Sequence, residues 1–408
     1  MPKSYLTLLC LSFIAAAGCT VSDRKADTEG GKAMGMEFDR IVEAVGKDDA
    51  IVLSGEGGSK VLVSPRFQGR IMTTRVGPIE SVGFVSLKTI AEGETHPNFN
   101  NFGGQDRYWL GPEAGQYGIY FPPGVDFDRK VWQVPPDFDR GPFKVVEKDA
   151  GKVKFTRDIS VMNYIGTRFK ARAEREVGLI PSAQLSRALG VDLPAGVNYC
   201  GSYSENKLIN AGDQPWKKET GLINIWILGQ FEPGEQTVII APFKPGDGPA
   251  YRDEPYFGKV KPDRLKVVGN AVLLRADARS EGKVGIAQKR TGGLAGSIDF
   301  QNHLLVVVRF DVPKEEAMYG NSSWVKNQPD PYSGDLFQTY NSDRSGSPDQ
   351  RYAFYELESV SPSVELDPGK GVLHRHETYC FQGDDGKLKE LARKILGVDL
   401  DEVRKAMF

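Results

Sequence analysis

The sequence predicts a mainly β fold in which many short strands are joined by turns. Its 408 residues include 46 Gly and 25 Pro spread along the chain, and these residue types favour turns between strands. Several segments alternate polar and apolar residues, as residues 152–156 (Lys-Val-Lys-Phe-Thr) do. Such alternation is typical of a strand with one buried face. Few segments have helical periodicity, so helices are expected to form a minor part of the fold.

The first element in the chain is a leader that precedes the fold. Lys3 is followed by an apolar run over residues 5–17 and then by Gly18-Cys19, which is the layout of a signal peptide. The run is shorter than the roughly 20 apolar residues of a membrane-spanning helix. Residues 16–19 (Ala-Ala-Gly-Cys) resemble the lipobox of bacterial lipoproteins. This resemblance implies that Cys19 becomes the acylated first residue of the mature protein.

The acylated form is expected to stay on a membrane, because several acyl chains at one terminus anchor a protein stably. By resemblance to lipoprotein sorting rules, Thr20 and Val21 stand where retention at an inner membrane often uses Asp, and they favour the outer membrane. The alternative is an ordinary secreted protein cleaved after Ala17 or Gly18. We therefore expect a protein of the bacterial cell envelope that contacts the lipid membrane through acylated Cys19.

The leader divides the chain into three predicted segments. Residues 1–18 form the predicted lipoprotein signal peptide. Residues 19–36 are small, polar and charged, with almost nothing to bury, and predict a flexible tether. Residues 37–408 contain neither an internal repeat nor a clean linker, so they predict one domain.

This domain is expected to begin with a helix over residues 37–47, whose apolar residues share one stripe. Residues 51–54 and 60–64 flank a Gly-rich turn and predict a hairpin. Two segments of helical period close the chain, at residues 387–396 and 399–407. Further strands are predicted at residues 69–74, 81–87, 117–121, 143–147, 152–161, 169–178, 221–228, 237–242, 271–275, 303–310, 352–359 and 371–381.

The charge and the cysteines limit the classes of partner. The formal net charge is −2, so there is no basic surface of the kind that nucleic-acid binding requires, and we predict no nucleic-acid partner. Cys10 and Cys19 belong to the leader and the anchor. Cys200 and Cys380 either pair in an oxidising compartment or remain buried thiols, and the sequence leaves both open. No cofactor is predicted.

The most polar and aromatic stretch covers residues 98–113, which include Arg107 and Trp109. Aromatic rings stack on sugars while amide, carboxylate and guanidinium groups bind hydroxyls, so this mixture suits a saccharide cleft. A buried loop whose polar groups bond the backbone is the alternative. Arg70, Asn206 and Asn210 are further candidate sugar ligands. Two long loops with many aromatic residues, at 111–141 and 319–351, are of the length that usually serves function.

A family resemblance begins in this stretch. Phe102-Gly-Gly followed by Trp109 resembles the Gly-Gly turn and the following Trp of the galactose mutarotase-like superfamily, which includes the aldose 1-epimerases. Residues 63–71 resemble its early strand and turn. Three later segments are similar to its Leu-Glu-x-x-x-x-Pro strand, its Leu-x-Pro-Gly turn and its final Tyr-x-Phe strand: 355–362, 366–370 and 379–381. The matches cover about a third of the chain in the family's order and look closest to an uncharacterised bacterial branch.

The resemblance implies a β-supersandwich, with two large antiparallel sheets packed face to face, long loops over a concave cleft and short helices at both ends. It places Glu358 at the position of the family's catalytic base. The sequence departs from the family in two places. Residues 198–210 lack the His of the family's His-x-Tyr-Phe-Asn segment, and Phe102 replaces the His before the Gly-Gly turn. Mutarotation needs both a base and an acid, so plain aldose epimerisation is in question.

Two histidines offer candidates for the missing group. His374 and His376 are two residues apart on the predicted last strand and share one face. They suit proton transfer or sugar binding, a metal, or simply a solvated strand face, and no metal is predicted because no further ligand is nearby in sequence. Alternation also puts Glu356 and Glu358 on one face, where like charges raise the pKa of one carboxyl. A hairpin of the last two strands would bring the histidines beside Glu358.

The predicted function is that of a membrane-anchored carbohydrate-active protein. An enzyme would be an epimerase-like isomerase, a lyase or a hydrolase that acts on saccharides through Glu358 with His374 or His376. The alternative is a non-catalytic carbohydrate-binding lipoprotein. A structural protein of the envelope is a third possibility.

Overall fold

The structure of the chain, a computed structural model, describes residues 37–253, 256–346 and 353–408. The predicted signal peptide, the tether and Cys19 lie outside the described residues. Within them, the strands in chain order are β1 (Ile51–Ser54), β2 (Lys60–Ser64), β3 (Arg70–Arg75), β4 (Arg107–Gly111), β5 (Lys144–Lys148), β6 (Lys152–Met162), β7 (Arg168–Ile180), β8 (Asn198–Asn210), β9 (Asn224–Phe231), β10 (Thr237–Pro242), β11 (Leu265–Val268), β12 (Ala271–Arg275), β13 (Arg279–Ile286), β14 (Leu294–Asp299), β15 (Leu304–Phe310), β16 (Phe337–Asp343), β17 (Tyr355–Val360) and β18 (Gly371–Gln382).

These strands form three sheets with antiparallel pairing. A ten-stranded sheet has the order β11-β12-β10-β14-β15-β18-β8-β7-β6-β5, and a five-stranded sheet has the order β13-β16-β17-β9-β4. A three-stranded sheet, β1-β2-β3, completes the set. The predicted mainly β fold with two large antiparallel sheets is thus confirmed.

The two larger sheets pack face to face. Leu357 of β17 belongs to the same buried cluster as Val306 and Val308 of β15, and the hydroxyls of Tyr355 and Ser297 share a 2.7 Å hydrogen bond between the sheets. Burial of this many aliphatic and aromatic side chains is the main stabilising contribution to such a fold. Strand β17 therefore has one face against the ten-stranded sheet and one face turned away from it.

Short helices lie at both ends of the domain, as predicted. The helices are α1 (Phe38–Val45), α2 (Leu87–Glu92), α3 (Pro136–Asp139), α4 (Leu185–Leu189), α5 (Asp385–Leu396) and α6 (Leu400–Met407). Helix α5 begins after Asp384, whose carboxylate caps the backbone N–H of Lys387. Its apolar face packs on the outer side of the ten-stranded sheet, where Leu388 and Leu391 join the cluster of Val238 and Leu305.

The hairpin predicted from residues 51–54 and 60–64 is confirmed, since β1 pairs with β2. Two other predicted strands are wrong. Residues 117–121 form no strand because their backbone folds back on the preceding turn, where Ile119 N–H bonds Pro112 O. Residues 81–87 make only isolated bridges, at Gly83 and Val85, before α2 begins. In the described part of the chain, no helix combines the length and the apolar character needed to cross a membrane.

Candidate functional site

The candidate site lies on the face of the five-stranded sheet that is turned away from the ten-stranded sheet. Side chains alternate along a strand, so Tyr355, Leu357 and Ser359 of β17 point between the sheets while Glu356 and Glu358 point to the opposite face. We call this opposite face the carboxylate face.

Glu358 is fully buried in the centre of the carboxylate face. Its Oε2 atom accepts hydrogen bonds from Trp226 Nε1 at 2.8 Å and from Lys283 Nζ at 3.0 Å. The Lys283 ammonium lies 4.9 Å from the centre of the Trp226 ring and 5.4 Å from that of Tyr256. Burial lowers the pKa of Lys283, but the charges of Glu358, Glu113 and Glu356 outweigh burial and raise this pKa above its usual value. The Lys283 side chain is therefore a cation that fixes one oxygen of Glu358.

Glu356 forms a second ion pair on the same face, with Arg107 of β4. The Arg107 guanidinium also donates to Leu228 O at 3.2 Å and lies 4.8 Å from the centre of the Trp109 ring. Burial and the charge of Glu358 raise the pKa of Glu356 to about 7, against the lowering effect of Arg107. Glu356 can therefore hold or release a proton near neutral pH.

Strand register brings the remaining polar groups together. Gln230 of β9 is directly opposite Glu356, and Gln338 of β16 is directly opposite Glu358. Directly opposite residues present their side chains on the same face of a sheet. Two amides thus flank the two carboxyl groups. Arg107 lies on β4, which pairs with the other edge of β9.

Several buried polar atoms of the carboxylate face have no hydrogen-bond partner among the described residues. More than nine-tenths of buried polar groups in proteins are bonded to protein or to ordered water, so a cluster of exceptions indicates a place for a polar ligand. Each of these residues is at most 2% exposed. The atoms are Arg107 Nη1, Gln230 Oε1, Gln338 Oε1 and Glu358 Oε1.

The loop over residues 111–141 contributes aromatic walls beside this face. Trp132 donates to Glu113 Oε1 at 2.9 Å and stacks on Tyr120, with ring centres 5.6 Å apart. Tyr120 in turn contacts Trp109, at 5.7 Å between ring centres. Burial raises the pKa of Glu113. The loop is therefore packed against the site by its side chains.

The histidines predicted to join Glu358 lie elsewhere. Strand β18 pairs with β15 and β8 in the ten-stranded sheet and not with β17, so the expected hairpin is wrong. His374 Nε2 and His376 Nδ1 lie 2.7 and 2.8 Å from the hydroxyl of Ser359, on the other side of β17 from Glu358. They are also buried, so the alternative of a solvated strand face is wrong as well.

These histidines belong to a polar cluster between the sheets, which we call the inter-sheet cluster. Asn206 accepts from Arg175 Nη1 at 2.5 Å and donates to His374 O at 3.2 Å. Arg175 also forms an ion pair with Asp106, at 2.7 Å. Burial, with the charge of His376, lowers the pKa of His374 to about 3. His374 is therefore not a proton donor near neutral pH.

Two further predicted ligands hold backbone turns. Asn210 donates to Gln214 O at 2.8 Å and to Leu366 O at 2.9 Å. Arg70 donates to Gly103 O at 2.5 Å and to Gln68 Oε1 at 2.8 Å. Each side chain thus joins its strand to the backbone of a distant segment, at Leu366 for Asn210 and at Gly103 for Arg70.

The structure therefore divides the predicted set. It brings Glu358, Arg107 and Trp109 together on the carboxylate face, and it places His374, His376, Asn206 and Asn210 outside that face. Arg70 belongs to β3, and its side chain lies beside that of Arg107, with Gly104 in contact with both. Sequence reasoning missed Lys283, Trp226, Gln230 and Gln338. Among the described residues, no three His, Cys, Asp or Glu side chains are grouped as a metal ion would need.

A wide hollow of about 820 Å³ lies away from this site, on the exposed face of the ten-stranded sheet. Its charged side chains are neutralised across neighbouring strands, as in the pairs Lys154–Glu176, Arg172–Asp158 and Lys207–Glu174. Such exposed pairs favour a solvated surface. Apart from the buried Arg175, the charged groups that line the hollow are at least partly exposed, unlike those of the carboxylate face.

The chain belongs to DUF6786, described as a family of unknown function, whose family model matches residues 36–407. No curated protein is similar to it in sequence. Similar solved structures include a putative aldose 1-epimerase from Escherichia coli, with 13% identity, a TM-score of 0.49 and coverage of 81% of this chain and 98% of the other. A galactose mutarotase-like protein from Lactobacillus casei has 12% identity, a TM-score of 0.47 and coverage of 81% and 99%.

A galactose mutarotase related enzyme from Lactobacillus acidophilus has 10% identity, a TM-score of 0.44 and coverage of 82% of this chain and 98% of the other. These descriptions name the superfamily that the sequence motifs resemble. The likeness concerns the fold alone.

Proposed function

We propose that the chain is a carbohydrate-active protein that binds a saccharide on the carboxylate face. The observation that carries this proposal is the set of buried polar atoms without a partner, which Arg107, Gln230, Gln338 and Glu358 present on one face. Amides and charged groups beside Trp and Tyr rings suit a ligand that has many hydroxyls and flat C–H surfaces.

The two carboxyl groups suit proton transfer on that ligand. Lys283 and Trp226 hold Oε2 of Glu358, which leaves Oε1 as the acceptor for the proton of a sugar hydroxyl. Glu356, whose burial raises its pKa to about 7, supplies the proton that the ring oxygen needs when the ring opens. Glu356 thus takes the acid role for which the histidines were predicted, and epimerase-like ring opening is the reaction class we propose.

Exchange of anomers tests this proposal. In NMR spectra of freshly dissolved α-D-glucose and α-D-galactose, the wild-type protein should speed conversion to the β anomer. Glu358→Gln should lower this rate by at least ~100-fold, the order of general-base removal, and should leave sugar affinity within about tenfold. Glu377→Gln is the matched control, because Glu377 is buried in ion pairs outside the site. Wild-type rates in both Glu358→Gln and Glu356→Gln would refute the acid–base pair.

A second candidate is non-catalytic saccharide binding. It is favoured by the ion pairs of the site, since Glu356 is paired with Arg107 and Glu358 with Lys283, and paired carboxylates serve well as fixed hydrogen-bond acceptors. A glycan array separates the two candidates. Binding that Arg107→Met abolishes, without turnover of any bound glycan by the wild type, favours the binding protein.

We also propose that acylated Cys19 anchors the protein in the bacterial envelope, at the outer membrane. The support is the lipobox-like sequence at residues 16–19. Labelled palmitate should enter the wild type and the Cys10→Ser variant but not Cys19→Ser, because Cys10 lies in the part of the leader that is removed. Label on Cys19→Ser, or wild-type protein in the inner-membrane fraction, would contradict the corresponding part of this proposal.

A further inference from the structure

Two cysteines outside the candidate site face each other in the ten-stranded sheet. Cys200 of β8 is directly opposite Cys380 of β18 in the antiparallel pair. Both thiols are free and buried, and both side chains belong to the buried cluster between the sheets. The two thiols are therefore neighbours on the same face, although 180 positions separate them in the sequence.

This placement matches the spacing that a disulfide requires. Directly opposite residues of an antiparallel pair have Cα atoms about 4.5 to 5.5 Å apart, and cystine residues have Cα atoms about 4.4 to 6.8 Å apart. The pairing of β8 with β18 extends on both sides of the cysteines, from Asn198 to Ile209. A covalent link would therefore join two strands that are already held in register.

A route from solvent reaches one of the two thiols. A pocket of about 310 Å³ opens beside β8 and is lined by Gly55, Ser59, Ile180, Tyr199 and Cys200. Cys380 is fully buried behind Cys200, which is 3% exposed. A small reagent in the pocket would therefore meet Cys200 first and Cys380 only through Cys200.

We propose that Cys200 and Cys380 are a modification site, at which a disulfide oxidant converts the two thiols into a cross-strand disulfide. The Cys200 thiolate attacks one sulfur of the oxidant, forms a mixed disulfide and releases the first thiol. Cys380 then loses its proton and attacks the Cys200 sulfur, which releases the second thiol. Two electrons pass from the cysteine pair to the oxidant, and the two protons end on the two released thiols.

The disulfide would close a ring that contains four of the five strands of the carboxylate face. Strands β9, β13, β16 and β17 all lie between residues 200 and 380, so Trp226, Lys283 and Glu358 would be inside the ring. The inference does not depend on the proposed sugar chemistry. It predicts only that the oxidised protein resists unfolding better than the reduced protein, because a cross-link restricts the unfolded chain.

The experiment uses the reduced full chain with oxidised glutathione as the oxidant, followed by alkylation of the remaining thiols and peptide mass mapping. We expect a linked peptide pair that contains Cys200 and Cys380 and is two hydrogens lighter than its parts. Burial raises the pKa of Cys200 to about 11, so the rate should rise by roughly tenfold per pH unit below that value.

Variants decide whether access runs through the pocket. Cys380→Ser should stop at a glutathione adduct on Cys200, while Cys200→Ser should leave Cys380 unmodified. Cys10→Ser should oxidise like the wild type. The inference is overturned if the wild type also ends as the glutathione adduct, or if both thiols survive in the native protein under conditions that oxidise the urea-unfolded chain.

Discussion

Two buried polar clusters lie on opposite sides of the same strand, and their ion pairs differ in how the polar atoms are satisfied. On the carboxylate face, each ion pair leaves one polar atom without a partner, as at Arg107 Nη1 and Glu358 Oε1. In the inter-sheet cluster, Arg175 uses its guanidinium nitrogens on Gly69 O, Asn206 and Asp106. The ion pairs of the carboxylate face thus keep free hydrogen-bonding atoms, whereas all three nitrogens of the Arg175 guanidinium are bonded. The atoms without a partner in the inter-sheet cluster are on imidazoles, at His374 Nδ1 and His376 Nε2.

This difference shows that burial of charge does not by itself mark a site. Glu358 and Asp106 are both at most 1% exposed, and each has a cation within 3.0 Å. What separates them is the free hydrogen-bonding capacity that remains after pairing. The comparison therefore predicts that changes on the two sides of β17 have different consequences.

The largest effect is expected on the carboxylate face. Lys283→Met removes the cation beside Glu358 and leaves a buried charge without compensation, which should lower the free energy of unfolding by ~3–5 kcal/mol. The double variant with Glu358→Gln removes the charge as well and should recover most of that loss. Urea unfolding followed by tryptophan fluorescence measures both. If the double variant is as unstable as Lys283→Met, the ion pair is not the cause.

The next effect is an opposite pH dependence of the two clusters. The pKa of Glu356 rises from 4.5 to about 7 on folding, so its contribution to stability is present below pH 4.5 and is lost as the pH rises through 7. The pKa of His374 falls from 6.5 to about 3, so its contribution is present above pH 6.5 and is lost as the pH falls through 3. Each slope is on the order of 1.4 kcal/mol per pH unit.

The two slopes oppose each other between about pH 4.5 and 6.5. Glu356→Gln should therefore make the free energy of unfolding rise more steeply with pH than in the wild type. His374→Gln should change the slope in the opposite direction, although His376, whose pKa burial also lowers, keeps a contribution of the same sign as His374. Urea midpoints at several pH values across this window measure the slopes. Identical slopes in the wild type and both variants would show that the two groups do not titrate as described.

A smaller effect distinguishes two adjacent residues of β17. Ser359→Ala removes the hydroxyl that bonds both imidazoles and should cost ~1–3 kcal/mol of unfolding free energy, with sugar affinity unchanged. Glu358→Gln, one position earlier, should affect turnover instead. Calorimetric titration with a sugar that binds the wild type provides the affinities. A Ser359→Ala protein with normal stability but altered affinity would contradict the separation of the two faces.

The smallest effect is expected at Trp109. The residue is 3% exposed and packs against Arg107, Tyr120 and Phe138, so Trp109→Ala is expected to damage the core, and Trp109→Phe is the better test. It should weaken sugar binding by about 1 kcal/mol through the weaker cation–π contact with Arg107. Trp216→Phe is the control, since Trp216 packs on Phe169 elsewhere. Equal affinities in both variants would make Trp109 a core residue only.

The predictable parts of the fold were those that depend on local pattern. Alternation was enough to put Glu356 and Glu358 on one face, and apolar periodicity indicated α1, α5 and α6. Strand β8 was missed because its residues on the inter-sheet side, such as Ser204 and Asn206, are polar and buried, which breaks the apolar alternation that marks a strand.

The composition of the site was harder to predict because it depends on register between distant strands. Arg107 and Glu356 are 249 positions apart, and Trp226 and Glu358 are 132 apart. Proximity in sequence was also misleading, because the chain passes from the five-stranded to the ten-stranded sheet between Val360 and Gly371. His374 therefore came to lie behind Glu358 rather than beside it.

The register of β17 limits where residues can be inserted or deleted. A shift of a strand by one residue exchanges its two faces. Strand β17 tolerates such a shift poorly, because it has buried polar groups on both faces. A single inserted or deleted residue would turn Ser359 into the carboxylate face and press the Glu358 carboxylate against two neutral imidazoles. The spacing along this one strand is thus as constrained as the identity of its side chains, and length variation in the family should be confined to the loops on either side of it.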